Sequence, residues 1–289
     1  MKKGWLVVNG FLNSEKFSQL YRFFLNSAKQ LDVQLEVVPS HRLIATAQEG
    51  FCSLDDTDFV LFWDKDVCLA QRLEEAGFKL FNCAEAVENC DSKTLTVLKL
   101  LQTVPMPQTI FSPKTFPNVG YTNLDFVDIA VEKLGLPMII KEAFGSFGEQ
   151  VYLAKTTEDA KKIVGQLAGK DFLMQKFVAE SFGKDVRLNV VGGRVVNAVV
   201  RQNLHGDFRS NVTIGGTMTP HEPTELEKEF ALKACKKLKL DFAGVDLLLS
   251  KDGPLLCEVN SNLHFKSTFD CTGVDLSKEI LKYVLQQID

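Results

Sequence analysis

Two adjoining apolar segments near the C-terminus, AGVDLLLS and GPLLCEVN, most constrain how this chain folds. The turn sequence KDG joins them, so we expect an antiparallel pair of neighbouring strands. Polar residues interrupt both segments: Asp246 in the first, and Glu258 and Asn260 in the second. Because side chains alternate along a strand, Glu258 and Asn260 point to the same face. The two segments therefore predict a sheet that carries carboxylate and amide oxygens on one side.

This set of oxygens favours a metal site. Three hard donors on adjacent strands suit Mg²⁺, which takes few protein ligands and completes its shell with water and substrate phosphates. The alternative is a buried, hydrogen-bonded pair of carboxylates, Asp246 and Glu258, without a metal. That pair is costly, because two like charges at strand spacing need a cation or a shared proton. We therefore predict that Asp246, Glu258 and Asn260 bind magnesium.

Composition excludes several classes of protein. The 289 residues carry a formal net charge of −4, which offers no general attraction for nucleic acid or an anionic membrane, so we expect neither as a partner. The N-terminal apolar patch ends at Asn9 and is too short for a signal peptide, and no apolar run approaches the length of a membrane span. The seven cysteines include no C-x-x-C pair, which favours reduced thiols over disulfides or zinc. We expect a cytoplasmic protein.

Residues 1–90 alternate between strand-like and helix-like segments. The strand-like segments are WLVVNG, VQLEVVP, DFVLFWD and KLFN, and the helix-like ones lie near residues 15–30 and 67–76. Unbroken apolar strands interleaved with helices are typical of a small parallel α/β domain. No chemistry can be assigned to this part from the sequence.

Residues 91–172 form a second predicted unit. It starts with the helix-like DSKTLTVLKLLQ, in which Leu95, Leu98 and Leu101 are expected on one side. A second helix, the strands PMIIKEA and VYLA, and a helix opened by a capping box at Thr156 and Asp159 follow. Mixed strands and helices of this kind predict an α+β arrangement.

Residues 173–289 form a third predicted unit, which is rich in strands. The strands DVRLNVV and RVVNAVVRQN flank Gly192 and Gly193, which is the usual signal of a two-residue hairpin loop. A capping box at Thr224 and Glu227 opens a helix, and the pair of strands described above comes next.

The segment KEAFGSFGEQVYL has features of a phosphate-binding loop. Lys141 ends an apolar strand, and Gly145 and Gly148 flank a short loop before the next strand. Glycines allow backbone N–H groups to approach phosphate oxygens, and a lysine on a strand adds a fixed positive charge. A glycine-containing hairpin with a lysine at its rim explains this segment equally well.

The segment QKFVAESFGKDVRL could recognise a planar ligand. The strand end at residues 175–178 offers backbone amide and carbonyl groups to the edge of a heterocycle, between apolar side chains. Glu180 and Asp185 could then accept hydrogen bonds from ribose hydroxyls. Alternatively, both are solvated carboxylates of a turn.

The segment RQNLHGDFRSNVTIGG is the hardest to explain by structure alone. Arg201 ends an apolar strand, and Arg209 and Asn211 follow within ten residues among glycines. Forked guanidinium donors suit phosphate and carboxylate oxygens. An exposed surface loop with two arginines is the alternative.

The order and spacing of these motifs resemble those of the ATP-grasp carboxylate-amine ligases, and among them the RimK-like group, which includes LysX. The resemblance runs from about residue 91 to the C-terminus, and residues 1–82 match only in general character. It is carried by Lys93, Lys141 with GSFG, QKFV, KDVRLNVVGG, Arg201, GDFRSN followed by GG, AGVDLL and EVN. The run GDFRSN is the most specific of these motifs.

The resemblance implies a fold and a set of site residues. The fold is α/β (α+β): two α+β subdomains that hold ATP between them, after a small parallel α/β domain. The implied ATP-binding residues are Lys93, Lys141, Gln175, Lys176, Phe177, Val178, Asp185, Arg209, Ser210 and Asn211. Arg201, Arg209 and Lys141 are the implied catalytic residues, and Arg187 and Arg201 would face the acceptor carboxylate. Asp246, Glu258 and Asn260 would bind two Mg²⁺ ions, for which Mn²⁺ could substitute.

The implied reaction joins a carboxylate to an amine through an acyl phosphate, and it releases ADP and phosphate. The substrates would be a small-molecule or peptide carboxylate and an amino compound such as glutamate, and a homodimer or homotetramer is expected. Two alternatives stay open: an ATP-grasp kinase acting on a non-acyl oxygen, and a nucleotide-binding module without catalysis.

The turn after the predicted metal strand departs from the family pattern. RimK-like ligases typically continue with small residues and a Pro-Gly turn, whereas this chain reads NSNLHF from Asn260. That turn borders the acceptor site in the family. Asn262 and His264 are therefore predicted to contact the acceptor that distinguishes this chain.

Overall fold

The computed structural model describes residues 1–52, 54–146, 148–210 and 216–288. The first part of the chain contains, in order, β1 (Lys2–Val8), α1 (Glu15–Gln30), β2 (Val33–Pro39), β3 (Ala45–Thr46), β4 (Gly50–Phe51), β5 (Phe59–Trp63), α2 (Val67–Glu75), β6 (Leu80–Phe81) and α3 (Ala84–Asp91). The second part contains α4 (Lys93–Leu100), β7 (Thr109–Phe111), α5 (Asp125–Leu134), β8 (Met138–Glu142), β9 (Val151–Ala154), α6 (Thr157–Gln166) and β10 (Phe172–Lys176). The third contains β11 (Lys184–Val191), β12 (Arg194–Asn203), β13 (Gly216–Pro220), α7 (Glu225–Lys237), β14 (Phe242–Ser250), β15 (Gly253–Asn260), α8 (Lys266–Thr272) and α9 (Leu276–Ile288).

The N-terminal sheet has the strand order β2-β1-β5-β6, and its neighbouring strands are parallel. All five residues of β5 are buried, which explains its unbroken apolar sequence. The predicted parallel α/β arrangement of this part is therefore confirmed.

The second sheet is antiparallel, with the order β7-β10-β8-β9. Alternate residues of β8 divide between its two faces: Met138 and Ile140 pack with α5 and α6, whereas Ile139 and Lys141 line a cavity. Strand β10 belongs to this sheet, which therefore extends beyond the predicted unit boundary at residue 172.

Helix α4 differs from the sequence prediction. It begins after Ser92, whose side-chain oxygen accepts a hydrogen bond from the Leu95 amide. Leu98 and Leu101 are exposed, and Leu100 is buried in the core of the third sheet. The predicted apolar face was wrong because that core, rather than a leucine stripe, determines which side of this short helix faces inward.

The third sheet is antiparallel, with the order β13-β12-β11-β14-β15. Gly192 and Gly193 connect β11 to β12 with φ angles of 56° and 71°, a conformation that favours glycine and confirms the predicted hairpin. Both predicted capping boxes, before α6 and before α7, are present. Helix α7 covers one face of the sheet, and the opposite face is open to the cavity.

The N-terminal domain packs directly on the third part of the chain. One apolar core joins Phe24 and Trp63 to Phe242, Leu263 and Phe265. The contact places the carboxyl ends of β1 and β5 beside the turn that follows β15. None of the helices in the described ranges has both the length and the apolar character needed to span a bilayer.

Candidate active site

A cavity of about 720 Å³ is lined by residues from all three sheets. Sixteen residues predicted to belong to the site line this cavity: Lys93, Lys141, Gln175, Lys176, Phe177, Val178, Asp185, Arg187, Arg201, Arg209, Ser210, Asp246, Glu258, Asn260, Asn262 and His264. Asn211 lies outside the described residues. Glu180 does not line the cavity, and its carboxylate lies 3.7 Å from Lys251. The sequence motifs therefore converge on one place in the fold.

The glycine-containing loop lies against cationic side chains at one end of the cavity. The Lys93 Nζ donates to the Gly145 carbonyl oxygen at 3.2 Å, and the Arg209 Nη1 donates to the Gly148 carbonyl oxygen at 2.9 Å. From the N-terminal domain, the Lys65 Nζ reaches the Ser146 Oγ at 3.4 Å. The loop thus meets the three positive charges that a polyphosphate would require.

The strand lysine predicted to bind phosphate is almost fully buried. The Lys141 Nζ donates to the Cys257 Sγ at 3.6 Å. Burial raises the pKa of the Cys257 thiol, and the charge of Lys141 opposes that rise. The thiol is thus a weak, uncharged partner, which leaves the ammonium charge of Lys141 available to an anion.

Four charged groups form a buried network on the face of the third sheet. Arg201 donates through Nε and Nη2 to the carboxylate of Asp185, and its Nη2 lies 2.9 Å from an oxygen of Asp246. Arg187 donates to both oxygens of Asp246, at 2.6 and 2.7 Å. The Ser210 Oγ also donates to Asp185, at 2.6 Å. Two guanidinium groups therefore balance two carboxylates inside the fold.

The network shifts the pKa values of Arg201 and Asp246. Burial opposes the charge of Arg201, but Asp246 and Asp185 outweigh it and raise the pKa of this guanidinium. Burial likewise raises the pKa of Asp246, but Arg187 and Arg201 lower it further, and the net shift is downward. Both shifts favour the charged forms of Arg201 and Asp246. The sequence reasoning required a cation or a proton beside Asp246 and favoured a metal; in the fold, Arg187 and Arg201 already supply positive charge to this carboxylate.

The donor set nevertheless fits magnesium. Asp246 and Glu258 face each other across β14 and β15, and Asn260 follows on the same strand. The closest cation to Glu258 is Lys93, at 3.6 Å, and the Glu258 side chain is 35% exposed. In the described ranges, no cluster of three or more histidines, cysteines or carboxylates could hold a metal. Two carboxylates and one amide suit a cation that takes few protein ligands, whereas they do not suit zinc.

The strand end predicted to recognise a heterocycle has fewer available backbone groups than expected. The amide N–H of Lys176 donates to the Gln108 carbonyl oxygen at 2.9 Å, and the Val178 carbonyl accepts from the Ser181 amide at 3.1 Å. A ligand at this edge would therefore use the Lys176 carbonyl and the amides that follow it. The Gln175 side chain is buried and donates to the Thr109 Oγ at 2.9 Å.

The predicted phosphate-binding arginine is held by a neighbouring carboxylate. Arg209 donates through Nε and Nη2 to Asp207, at 3.0 and 2.8 Å. Hydrogen bonding to Asp207 is the main cause of the raised pKa of Arg209. The carboxylate fixes the guanidinium beside the glycine-containing loop.

The turn after β15 alternates between core and cavity. Leu263 and Phe265 are fully buried in the core shared with the N-terminal domain, whereas Asn262 and His264 line the cavity. The Asn262 Nδ2 donates to the Asp64 carbonyl oxygen at 3.0 Å. Burial, followed by the charges of Lys16 and Arg187, lowers the pKa of His264 to about 4. The atypical residues of this turn therefore seal the domain contact and line the cavity together.

The contribution of the N-terminal domain to the cavity was not predicted from the sequence. Its lining residues are Asn9, Leu12, Lys16, Phe17, Tyr21, Trp63, Asp64 and Lys65. Asn9 and Asp64 directly follow the buried strands β1 and β5. Polar residues just after parallel strands mark the edge where ligands bind in α/β sheets, so this signal was present in VVNG and FWDKD.

Comparison with known proteins identifies the family. A model of the RimK-like ATP-grasp domain matches residues 93–284. The chain belongs to the RimK-like ATP-grasp family. It is therefore an ATP-dependent enzyme that joins a carboxylate to an amine, as the sequence predicted.

Similar proteins support this membership over most of the chain. The probable alpha-L-glutamate ligase of Xanthomonas oryzae pv. oryzae (strain MAFF 311018) is 35% identical over 223 residues, covering 75% of this chain and 72% of that protein. The N-acetylaspartylglutamate synthase A of Homo sapiens is 33% identical over 226 residues, which are 77% of this chain but only 56% of the human protein. The crystal structure of a RimK domain ATP-grasp protein from Sphaerobacter thermophilus superimposes with a TM-score of 0.73 at 19% identity, covering 97% of this chain and 99% of the other. The predicted ATP-grasp fold is therefore confirmed.

Proposed function

We propose that this RimK-like ligase activates a substrate carboxylate as an acyl phosphate and joins it to the amino group of an amino acid such as glutamate. The observation that carries the proposal is the convergence of the described site residues on one cavity between the glycine-containing loop and the N-terminal domain. Two relatives, named alpha-L-glutamate ligase and N-acetylaspartylglutamate synthase, support glutamate as the amine.

The cationic end of the cavity suits the triphosphate. A carboxylate attacks the γ-phosphorus only after the negative charge of the phosphates has been neutralised. Lys93, Lys141 and Arg209 are the residues of this chain that supply positive charge there, and Ser210 adds a hydroxyl. Asn211 is predicted to join them.

Two magnesium ions, or manganese in their place, complete our proposal for the cofactors. Asp246, Glu258 and Asn260 would hold them, and they would supply further positive charge beside the phosphates. Asp185, which accepts hydrogen bonds from Arg201 and Ser210, would bind the ribose through its remaining lone pairs.

The arginines of the third sheet suit the acceptor side of the reaction. Arg187 and Arg201 are anchored by Asp246 and Asp185, so their positions are set before a substrate arrives. Nε and Nη2 of Arg201 are occupied by these carboxylates. We propose that its Nη1 stabilises the oxyanion that develops when the amine attacks the acyl phosphate.

The test is an ADP-release screen with Mg²⁺. Pools of N-acylated amino acids, di- and tricarboxylic acids and short peptides serve as carboxylates, each with and without the free amino acids as amines. We expect ADP release only when both a carboxylate and an amine are present. Equal ATP turnover without any carboxylate refutes the ligase, and turnover that needs an acceptor but no amine identifies the kinase instead. No turnover with retained ATP binding favours the non-catalytic module.

A cytoplasmic location and a homodimer or homotetramer are further proposals. All seven cysteines are free, which suits a reducing compartment. Cell fractionation tests the location, and light scattering coupled to size exclusion gives the number of subunits. Recovery of the protein outside the cytoplasm, or a monomer at all concentrations, contradicts the respective proposal.

A further inference from the structure

Asp64 is a buried carboxylate that the reaction described above does not use. It follows the last residue of β5, lines the cavity and is 5% exposed. Its Oδ1 accepts hydrogen bonds from the Asn9 Nδ2 at 3.3 Å and from the Lys65 amide at 2.7 Å. Its Oδ2 is buried and has no hydrogen-bond partner among the described residues. A buried carboxylate oxygen without a donor is costly, so a missing partner is expected at this atom.

A second acceptor without a donor belongs to the residue that touches Asp64. The Asn262 Nδ2 donates to the main-chain oxygen of Asp64 at 3.0 Å, and this bond fixes the side-chain amide. The Asn262 Oδ1 is buried and likewise lacks a partner within the ranges that the structure describes. Asp64 and Asn262 thus contact each other and both line the cavity, and each has a buried acceptor oxygen without a donor among the described residues.

Lys65, the residue after Asp64, does not supply a positive charge to this pair of acceptors. The Lys65 Nζ binds the Asp91 carboxylate at 2.9 Å and points to the glycine-containing loop. A group that satisfies one carboxylate oxygen and one amide oxygen must donate at least two hydrogen bonds and favour negative charge. An ammonium group meets both conditions. A metal ion fits less well, because Asp64 is the one carboxylate in this pair.

We propose that Asp64 and Asn262 bind the amino group of the amine substrate. This inference rests on the proposed ligase function and adds a specificity-determining residue from the N-terminal domain. Asp64 lies outside residues 93–284, which match the family model. Asn262 lies two residues beyond the predicted metal ligand Asn260, and Asp64, Asn260 and Asn262 all line the same cavity.

The first test compares Asp64→Asn with the wild type. We expect the KM for the amine to rise about 10- to 100-fold, as for a lost charge-assisted hydrogen bond, with the KM for ATP unchanged. The matched control is Asp55→Asn, which makes the same chemical change at an exposed position outside the cavity. An unchanged KM for the amine in Asp64→Asn overturns the proposal.

A second measurement excludes a merely structural role. Hydroxylamine is uncharged at neutral pH and needs no ammonium site; its nitrogen attacks the acyl carbon, phosphate leaves, and the nitrogen releases a proton to give a hydroxamate. Asp64→Asn should form hydroxamate from carboxylate and ATP at the wild-type rate, while amide formation falls. Equal loss of both products overturns the proposal. The melting temperature should stay the same or rise, because the substitution removes a buried charge that is only partly hydrogen-bonded.

A binding experiment separates this inference from the proposed function. Calorimetry with ADP and Mg²⁺ measures binding of L-glutamate, or of the most active amino acid in the ADP-release screen, and of its N-acetyl derivative. The wild type should bind the free amino acid more tightly than the derivative, and Asp64→Asn should lose this preference. That result supports the subsite even if no turnover is found, which would refute only the ligase. Equal binding of both compounds by the wild type overturns the subsite.

Discussion

Arg187 donates two hydrogen bonds to the Asp246 carboxylate, from Nε at 2.6 Å and from Nη2 at 2.7 Å. The two residues are directly paired on adjacent strands β11 and β14. Arg201 lies on β12, the other neighbour of β11, and approaches the same carboxylate from there. Asp246 is therefore the anchor that holds two arginines at the cavity wall, in addition to its proposed part in magnesium binding.

Replacing Asp246 by Asn should destabilise the protein strongly. Both arginines would lose a buried counter-ion, which typically costs about 3–5 kcal/mol in the free energy of unfolding. Because the pKa of Asp246 is lowered in the fold, its contribution is present above its unfolded pKa and is lost as the pH falls through the folded value. Urea denaturation at pH 7 measures the loss. The control Glu225→Gln, which breaks an exposed ion pair with Lys228, should cost far less; equal losses contradict the prediction.

His264 should make stability depend on pH. Its pKa is lowered from 6.5 to about 4, chiefly by burial. Between about pH 4 and pH 6.5, the unfolded chain therefore binds a proton at this residue that the folded chain does not bind. The free energy of unfolding should therefore fall as the pH drops from about 6.5 to about 4, by up to about 3 kcal/mol from this residue. His264→Gln should flatten this part of the pH profile in urea denaturation. The control His205→Gln, at an exposed site, should leave the profile as it is.

Glu258→Gln should abolish turnover without unfolding the protein. The side chain is partly exposed, and its ion pair with Lys93 is long, at 3.6 Å, so little stability depends on it. Loss of a carboxylate ligand to magnesium should reduce ADP release at least about 100-fold. The matched control is Glu180→Gln: its carboxylate is 37% exposed, lies 3.7 Å from Lys251 and does not line the cavity. If both variants keep full activity, the metal assignment of Glu258 is wrong.

Gly145→Ala should weaken the use of ATP. The φ angle of Gly145 is 148°, and an added Cβ would lie 2.4 Å from the Gln150 Oε1, the atom that accepts from the Ser146 amide. The Gln150 side chain would have to move and release the Ser146 amide, and the loop backbone would be strained, so the KM for ATP should rise about tenfold. Steady-state kinetics check this. Gly120→Ala introduces similar backbone strain, at a φ of 72°, but meets no atom within 4 Å and should lower only the melting temperature.

Local patterns in the sequence were enough to predict much of the fold. The Gly192 and Gly193 hairpin and the two capping boxes depend on residues within a few positions of one another, so propensity and hydrogen bonding specify them directly. The same holds for the pairing of β14 with β15, because a short turn joins them. Side-chain alternation was also sufficient to predict that Glu258 and Asn260 share one face of β15, and both line the cavity.

Contacts between residues far apart in the chain were decided only by the tertiary structure. The sequence by itself determined that Asp246 is a buried charge, but not that arginines from two other strands neutralise it, because strand order depends on packing of the whole sheet. It likewise placed Asp64 after a strand without revealing that Asn262, 198 residues later, touches it. The N-terminal domain docks through the buried side chains of Leu263 and Phe265. Burial of these two apolar residues brings the polar residues between and beside them to the cavity, and this cooperative packing is a property of the folded chain rather than of any segment.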